Sequence, residues 1–252
     1  MKKIAIIPAR MGSRRFPGKP MQKILGKPMI GHVYDQVNKA ISLDLVVVAT
    51  CDQEIYDYIE SIGGIAVMTS NLHDRASDRC AEALITIEEE RRTVYDIVIM
   101  VQGDEPMLHP DMINEVIEPV LMNENVQVVN LLGKITSLSE FNDPNCIKVV
   151  CDLNSDALYF SREPIPNQGT SDNVNMAKQV CVILFRRNFL IEYTNMSPTP
   201  LEVNESIDMM RILENGLKVK MNPTKYQSQA VDTPEDLRKV EQLMQAATKQ
   251  EG

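Results

Sequence analysis

An α/β fold with a mostly parallel central sheet is predicted by three features of the sequence. Short apolar runs rich in Val and Ile recur through the first half, helical patterns separate them, and the most polar, irregular segments directly follow the runs. Continuous rather than alternating apolar strands belong to a sheet covered on both faces, which is what strands joined by helices produce. In such sheets ligands gather beyond the carboxyl ends of the strands. The segments 8–20, 69–78 and 102–106 are therefore expected to line one cleft.

Taken in order, residues 3–7 (KIAII) read as a buried strand, followed by a loop rich in Gly, Arg and Pro. Residues 29–41 have helical spacing, 45–49 (LVVVA) form a second strand, and a helix over 53–62 stops at Gly63-Gly64. A strand at 65–68, a helix at 77–91 with Ser77 as N-cap and a strand at 96–101 complete this half. The second half is less regular. It contains expected strands at 126–136, 146–152, 157–160 and 178–185, with an exposed loop at 167–177. Residues 201–216 read as one helix with Met209, Met210, Ile212 and Leu213 as its core stripe and Gly216 as its stop, and 233–247 as an amphipathic helix. A single domain over 1–252 is the simplest organisation, with a smaller arm near 156–190.

Composition narrows the function. The 252 residues are 44% hydrophobic and 24% charged, as in an ordinary globular protein. A net charge of −9 argues against nucleic acid as partner, since duplex binding needs a basic face. It leaves room for a nucleotide held by local cations, and for a metal held by carboxylates. The five cysteines are odd in number and form no CxxC pair, so they read as reduced core residues. The apolar run in MKKIAIIPAR is too short for a signal segment, and no stretch approaches the ~20 apolar residues of a membrane span. No membrane insertion and a cytoplasmic location are the expectation. His32, His73 and His109 read as structural.

Three motifs carry chemistry. In Pro8-Ala-Arg-Met-Gly-Ser-Arg-Arg-Phe-Pro-Gly-Lys-Pro20, the cations Arg10, Arg14, Arg15 and Lys19 are interleaved with Gly12 and Gly18 directly after the first strand. Glycines permit close backbone approach to phosphate oxygens, and guanidinium and ammonium groups neutralise them. Neither GxxxxGK[ST] nor GxGxxG is present, which removes P-loop enzymes and dinucleotide oxidoreductases from consideration. Val101-Gln-Gly-Asp-Glu-Pro106 ends a strand with Asp104 at the expected cleft, where a carboxylate could hold Mg²⁺ against a triphosphate. Val231-Asp-Thr-Pro-Glu-Asp-Leu237 supplies Asp232. Alone, these two segments read equally well as a strand-to-loop turn and a helix start. Together with the cationic loop they make a metal–triphosphate arrangement.

The strings IIPARMGSRRFPGKP, GKPMIGHVY, VQGDEP, DPNCIKVV, ALYFSREPIP, LEVNESIDMMRILENG and VDTPEDL, in this order over roughly residues 3–245, resemble the 3-deoxy-manno-octulosonate cytidylyltransferases (CMP-Kdo synthetases). The resemblance implies a Rossmann-like nucleotidyltransferase fold with a smaller dimerisation arm. It also implies a homodimer, Mg²⁺ dependence, CTP as donor, an acidic sugar as acceptor and a place in lipopolysaccharide biosynthesis. Matched residue by residue, it implies nucleotide contacts at Ala9, Arg10, Ser13, Arg15, Lys19, Ser77, Arg79 and Gln102, with Asp78 beside Arg79; Arg75 joins this set as an added positive charge next to the nucleotide loop. It implies acceptor contacts at Gln102, Arg162, Gln179, Glu202, Glu205 and Arg211. Asp104 and Asp232 match the metal carboxylates, and with Arg10 and Lys19 form the implied catalytic set. The sequence departs from the family where SGT becomes Arg75-Ala-Ser77, where His becomes Gln179, where two tyrosines become Ile183 and Phe185, and where Glu-Gln-Leu becomes Asp208-Met209-Met210. Those departures keep two alternatives open: a different acidic acceptor (a modified ulosonic acid or a phosphonate) and a non-catalytic nucleotide-binding regulator.

Overall fold

The computed structural model describes residues 1–13, 15–167 and 176–251, which fall into two compact units, Met1–Ile113 with Ser228–Gly252, and Asn114–Gln227. Arg14 and most of the expected loop at 167–177 lie outside the described residues. In chain order the strands are β1 (Lys3–Ala9), β2 (Lys23–Ile24), β3 (Lys27–Pro28), β4 (Leu45–Thr50), β5 (Ala66–Met68), β6 (Ile97–Val101), β7 (Val128–Lys134), β8 (Lys148–Cys151), β9 (Ala157–Ser161), β10 (Ala177–Arg186) and β11 (Lys220–Pro223). The helices are α1 (Met29–Asn38), α2 (Gln53–Ser61), α3 (Ala76–Arg91), α4 (Asp111–Met122), α5 (Leu138–Asn142), α6 (Arg187–Thr194), α7 (Pro200–Glu205), α8 (Met209–Glu214) and α9 (Pro234–Glu251). The predicted α/β class holds.

The first unit is a parallel sheet in the order β6-β1-β4-β5. Its strands β1, β4 and β6 are buried on both faces, with Ile4, Ile6, Ile7, Val47, Val48, Ile97, Val98 and Ile99 wholly excluded from solvent. That is the environment the unbroken Val/Ile runs require. The helices cover it with Ile30 and Val33 from α1, Ile55 and Ile59 from α2, and Leu84 and Ile87 from α3. A separate cluster of Ile24, Met29, Val231 and Val240, with Phe16, Met107, Leu237 and Met244 against it, fixes α9 to the segment after the cationic loop. The α3 start differs from expectation: Arg75, not Ser77, is the N-cap, and Ser77 is buried in the first turn.

In the second unit β11 runs parallel to β7, β7 antiparallel to β10, and β8 antiparallel to both β10 and β9. The strand β11 and the helices α4, α5 and α6 are not among the expected elements, although α4 carries a buried helical stripe of Met112, Ile113, Val116, Ile117 and Val120. Residues 201–216 are two helices rather than one. The break follows from carbonyl competition: Arg162 Nε and Nη2 take the carbonyls of Glu205 and Ser206 at 2.8 and 3.3 Å, and the Tyr193 hydroxyl takes that of Asp208 at 3.0 Å. Ser206 turns left-handed (φ 54°), and the Ile207 amide closes α7 on the Glu202 carbonyl. All five cysteines are reduced. Burial pushes the Cys146 thiol up to about 11, which keeps it protonated and inert. No helix among the described residues is long and apolar enough to cross a membrane.

Candidate active site

The polar loops after β1, β4, β5 and β6 meet at the carboxyl end of the first unit's sheet. The Met11 amide donates to Asp52 Oδ2 after β4 at 2.8 Å, and Arg10 Nη1 donates to the His73 carbonyl after β5 at 3.3 Å. The Val231 amide donates to the Asp104 carbonyl at 2.9 Å, which sets the start of α9 beside the loop after β6. The expectation that segments 8–20, 69–78 and 102–106 share one cleft rests on parallel-sheet geometry, and these bonds are its local expression.

The cationic loop is folded on the Met11 carbonyl, which accepts from the Ser13 amide at 2.8 Å and the Gly18 amide at 3.0 Å. Ser13 Oγ accepts from the Phe16 amide at 3.2 Å. Gly18 has φ 71°, a conformation that costs a side-chain-bearing residue about 1 kcal/mol, and it opens the short 3-10 turn Lys19–Met21 that presents Lys19. A Cβ at Gly12 would meet open space, so the backbone there is accessible to a ligand. Gly103 has the opposite reason for being glycine. A Cβ there would lie 3.1 Å from both the Pro8 carbonyl oxygen and Ile30 Cδ1, so a side chain would crowd the β6 loop where it passes the end of β1.

Four of the expected residues converge. Lys19 Nζ lies 2.8 Å from Asp104 Oδ2 and 3.2 Å from Asp232 Oδ1, and Arg15 Nη2 lies 2.8 Å from the same Asp232 oxygen. The Lys19, Asp104 and Asp232 side chains are only 12, 18 and 15% exposed, whereas Arg15 is 49% exposed. Burial works to lower the Lys19 pKa, but Asp104 and Asp232 together outweigh it, so Lys19 is held above its ordinary value and stays charged. Asp232 is itself placed by the α9 start, where Asp236 Oδ2 accepts the amides of Asp232 and Thr233 and the Thr233 hydroxyl.

Among the other expected nucleotide residues, Arg79 is 3% exposed and donates from Nη1 to the Thr69 hydroxyl and to the Ser70 carbonyl at 3.1 Å; its Nη2 has no hydrogen-bond partner among the described residues. Ala9 ends β1 and is buried, Arg10 is exposed, and Arg75, Asp78 and Gln102 are half-buried. Sequence reasoning missed Asp52, whose carboxylate pins the start of the cationic loop. It also missed Glu82, which accepts the Ser70 amide at 2.9 Å and pairs with His73, and is held below the usual carboxylate range by those two groups against its burial. The signal for Asp52 was its place directly after a buried strand.

The expected acceptor residues other than Gln102 all lie in the second unit. Glu202 and Arg211 form a bidentate pair, both bonds 2.7 Å, with Glu202 wholly buried and Arg211 3% exposed and stacked 4.9 Å from the Tyr193 ring centroid. Arg162 donates to the carbonyls of Pro144, Glu205 and Ser206, and the Glu205 carboxylate accepts from Tyr159, Ser161 and the Arg162 amide. Gln179 Nε2 donates to Asn130 Oδ1 at 2.6 Å, and Asn130 in turn donates to the Val180 and Leu131 carbonyls. Asn130 went unnoticed, although a lone Asn inside the apolar run 128–132 is the kind of buried polar residue that needs an explanation.

Comparison with known proteins places the chain in a family. Residues 4–221 match the family model described as cytidylyltransferase. The chain is 42% identical to the 3-deoxy-manno-octulosonate cytidylyltransferase of Trichlorobacter lovleyi, covering 97% of this chain and 99% of the relative. It is 41% identical to the enzyme of the same name from Geobacter metallireducens, with 95% and 96% covered. A solved structure of CMP:2-keto-3-deoxy-manno-octonic acid synthetase complexed with CTP superposes with a TM-score of 0.87 at 34% identity, over 98% of this chain and all of that one. The mixed α/β fold is the nucleotidyltransferase fold of that synthetase. The chain belongs to the 3-deoxy-manno-octulosonate cytidylyltransferase family.

Proposed function

We propose that this chain is an Mg²⁺-dependent cytidylyltransferase that transfers CMP from CTP to 3-deoxy-manno-octulosonate (Kdo), releasing pyrophosphate. The observation that carries the reading is the convergence of Lys19 and Arg15 on the Asp104–Asp232 pair at the strand ends, in a chain 42% identical to a relative bearing that name. The donor set suits Mg²⁺. Two carboxylate oxygens already share one small cation, the ligands are all oxygen, and Mg²⁺ characteristically takes one or two carboxylates and completes its shell with water and phosphate. Asp104 and Asp232 would hold it, and when bound it supplies Lewis-acid polarisation of the α-phosphate.

The chain's own residues do the rest. Arg10, Arg15 and Lys19 line the loop that would receive the β- and γ-phosphates, and their charge stabilises the pyrophosphate as it departs. Attack by the anomeric hydroxyl of the sugar acid on the α-phosphorus forms the new P–O bond as the bond to pyrophosphate breaks and the hydroxyl proton passes to solvent, so no covalent nucleophile of the protein is involved. Ser13, Ser77, Arg75, Arg79, Gln102 and the Ala9 backbone are assigned to the nucleotide. Gln102, Gln179, Arg162, Glu202, Glu205 and Arg211 are assigned to the acceptor side, the last four as two bonded pairs, Arg162 with Glu205 and Arg211 with Glu202. The homodimer and a cytoplasmic place in lipopolysaccharide synthesis are supported by the family resemblance, and light scattering of the purified protein tests the dimer.

Pyrophosphate release, measured with CTP, Mg²⁺ and Kdo, is the deciding assay. Turnover that needs both CTP and Kdo supports the reading. Turnover only with another sugar acid or a phosphonate from a panel points to a changed acceptor, and none with any acid makes the chain a nucleotide-binding regulator.

A further inference from the structure

The Asp104–Asp232 pair is neutralised by two of the protein's own cations. Lys19 bridges both carboxylates and Arg15 adds a second contact to Asp232, so each aspartate is paired with at least one cation among the described residues. Lys19 is held there by the loop as well as by attraction, because the left-handed Gly18 starts the turn that carries it and the side chain is only 12% exposed. A dication entering between the carboxylates would meet the ammonium at contact distance, in surroundings that screen charge poorly. A triphosphate carries more negative charge than the two aspartates together, and it arrives on the same loop.

We propose that Lys19, assisted by Arg15, is a built-in counter-cation that keeps the carboxylate pair closed to free divalent metal and releases it when a triphosphate draws the two cations onto its phosphates. The exchange balances: two unit charges leave the aspartates and one dication replaces them. Metal and nucleotide then favour each other's binding, reciprocally. Once pyrophosphate is gone, Lys19 closes on the pair again, so the metal departs with product and is not a resident ion. This rests on the reading of Asp104 and Asp232 as metal carboxylates, and it adds the reason why they would hold metal only in the loaded enzyme.

Mn²⁺ binding, read from the loss of the free-ion electron paramagnetic resonance signal without nucleotide, tests the device. Lys19→Met is expected to bind Mn²⁺ at least ~10-fold more tightly than the unaltered protein, because repulsion by the ammonium is removed. Lys19→Arg, which keeps the charge, is expected to stay near the unaltered value. Mn²⁺ alone should raise the melting temperature of Lys19→Met but not of the unaltered protein, and Lys19→Gln serves if the Met variant does not fold. Equal Mn²⁺ affinity in the unaltered protein and a folded neutral variant overturns the proposal. The underlying metal assignment is checked separately by water-proton relaxation with Mn²⁺ and CTP. If Asp104→Asn gives the same enhancement as the unaltered protein, that assignment fails, and the counter-cation device with it.

Discussion

Arg211→Met separates scaffolding from direct acceptor binding on the second unit. Arg211 and Glu202 are 3 and 0% exposed, and the substitution removes two charge-assisted bonds of 2.7 Å, a bond to the Met196 carbonyl at 3.3 Å and the stacking on Tyr193. Glu202 keeps its bond from the Thr199 amide at 3.3 Å but loses the guanidinium that balances its charge. Breaking a buried pair from one side costs about 3–5 kcal/mol, a large share of the roughly 5–15 kcal/mol that holds a typical domain together. At about 2–4 °C per kcal/mol for chains of this size, the melting temperature should fall by roughly 6–20 °C in scanning calorimetry. Replacing both partners, Glu202→Leu with Arg211→Met, should recover most of that loss, because an apolar pair of similar volume has no desolvated charge to balance. The double variant should also keep its KM for Kdo within about threefold, since a frame that is rebuilt still presents the same surface. A melting temperature for Arg211→Met within about 2 °C of the unaltered protein would refute the burial argument. A stable double variant whose KM rises by more than ~30-fold would show Arg211 meeting the acceptor itself.

Three other outcomes follow from the first unit and from the edge of the second. Asp104→Asn and Asp232→Asn should each lower kcat by roughly 10²–10³, the worth of about 3–4 kcal/mol of charge organisation at the transition state, with the far-ultraviolet dichroism unchanged; near-normal turnover in Mg²⁺ would remove that aspartate from the metal site. Gly103→Ala places a methyl 3.1 Å from the Pro8 carbonyl oxygen and Ile30 Cδ1, and overpacking of this kind costs about 1–3 kcal/mol; denaturation midpoint and kcat should fall together, whereas an unchanged kcat would mean Asp104 is not placed by that contact. Burial works to raise the Asp156 pKa, but the hydrogen bonds from Lys218 and Lys220 outweigh it and hold the carboxylate below its usual range. Its stabilisation is therefore complete above the unfolded pKa of about 3.9 and is lost as pH falls through the lower folded value. Compared by urea midpoint, the unaltered protein should lead Asp156→Asn at neutral pH and lose that lead in acid, and a gap independent of pH would contradict the assignment.

The first unit was legible because its signals are local. Buried parallel strands need unbroken Val/Ile runs, so β1, β4 and β6 were found within a residue or two, and the loops after them carry their chemistry in contiguous strings. Asp232 is the exception in distance and not in kind, because the VDTPEDL helix start marks it. What could not be read is what depends on side chains from elsewhere in the chain. The break between α7 and α8 is made by Arg162 and Tyr193 capturing carbonyls, and no residue within 201–216 announces it. The strand β11 is a four-residue segment ending in proline, extended because β7 lies beside it. Lys148 illustrates the same limit. It is wholly buried with its ammonium on the carbonyls of Asp143, Cys146 and Arg162, a clip that only the folded chain can bring together.

The departures from the family pattern on β10 change meaning once their surroundings are known. Ile183 and Phe185 are 1 and 0% exposed, and Phe185 stacks 5.9 Å from Tyr193. A hydroxyl at either place would need a buried partner or would cost about 1–3 kcal/mol if left unpaired, so apolar side chains are the stable choice in this packing. Apolar side chains at both positions thus fit the local core. Gln179 is a different case. It is half-buried, and its amide is spent on Asn130, which locks a carboxamide pair across β7 and β10 where the family carries an imidazole. A histidine can donate and change its charge near neutral pH, whereas this pair is neutral at every pH. If the position faces the sugar acid, the affinity of this enzyme for Kdo should lack the titration that an imidazole would impose. Gln179→His is then the substitution that introduces one: KM for Kdo becoming pH-dependent between about pH 6 and 7.5 in that variant alone would place residue 179 at the acceptor. An unchanged profile would place it in the sheet only.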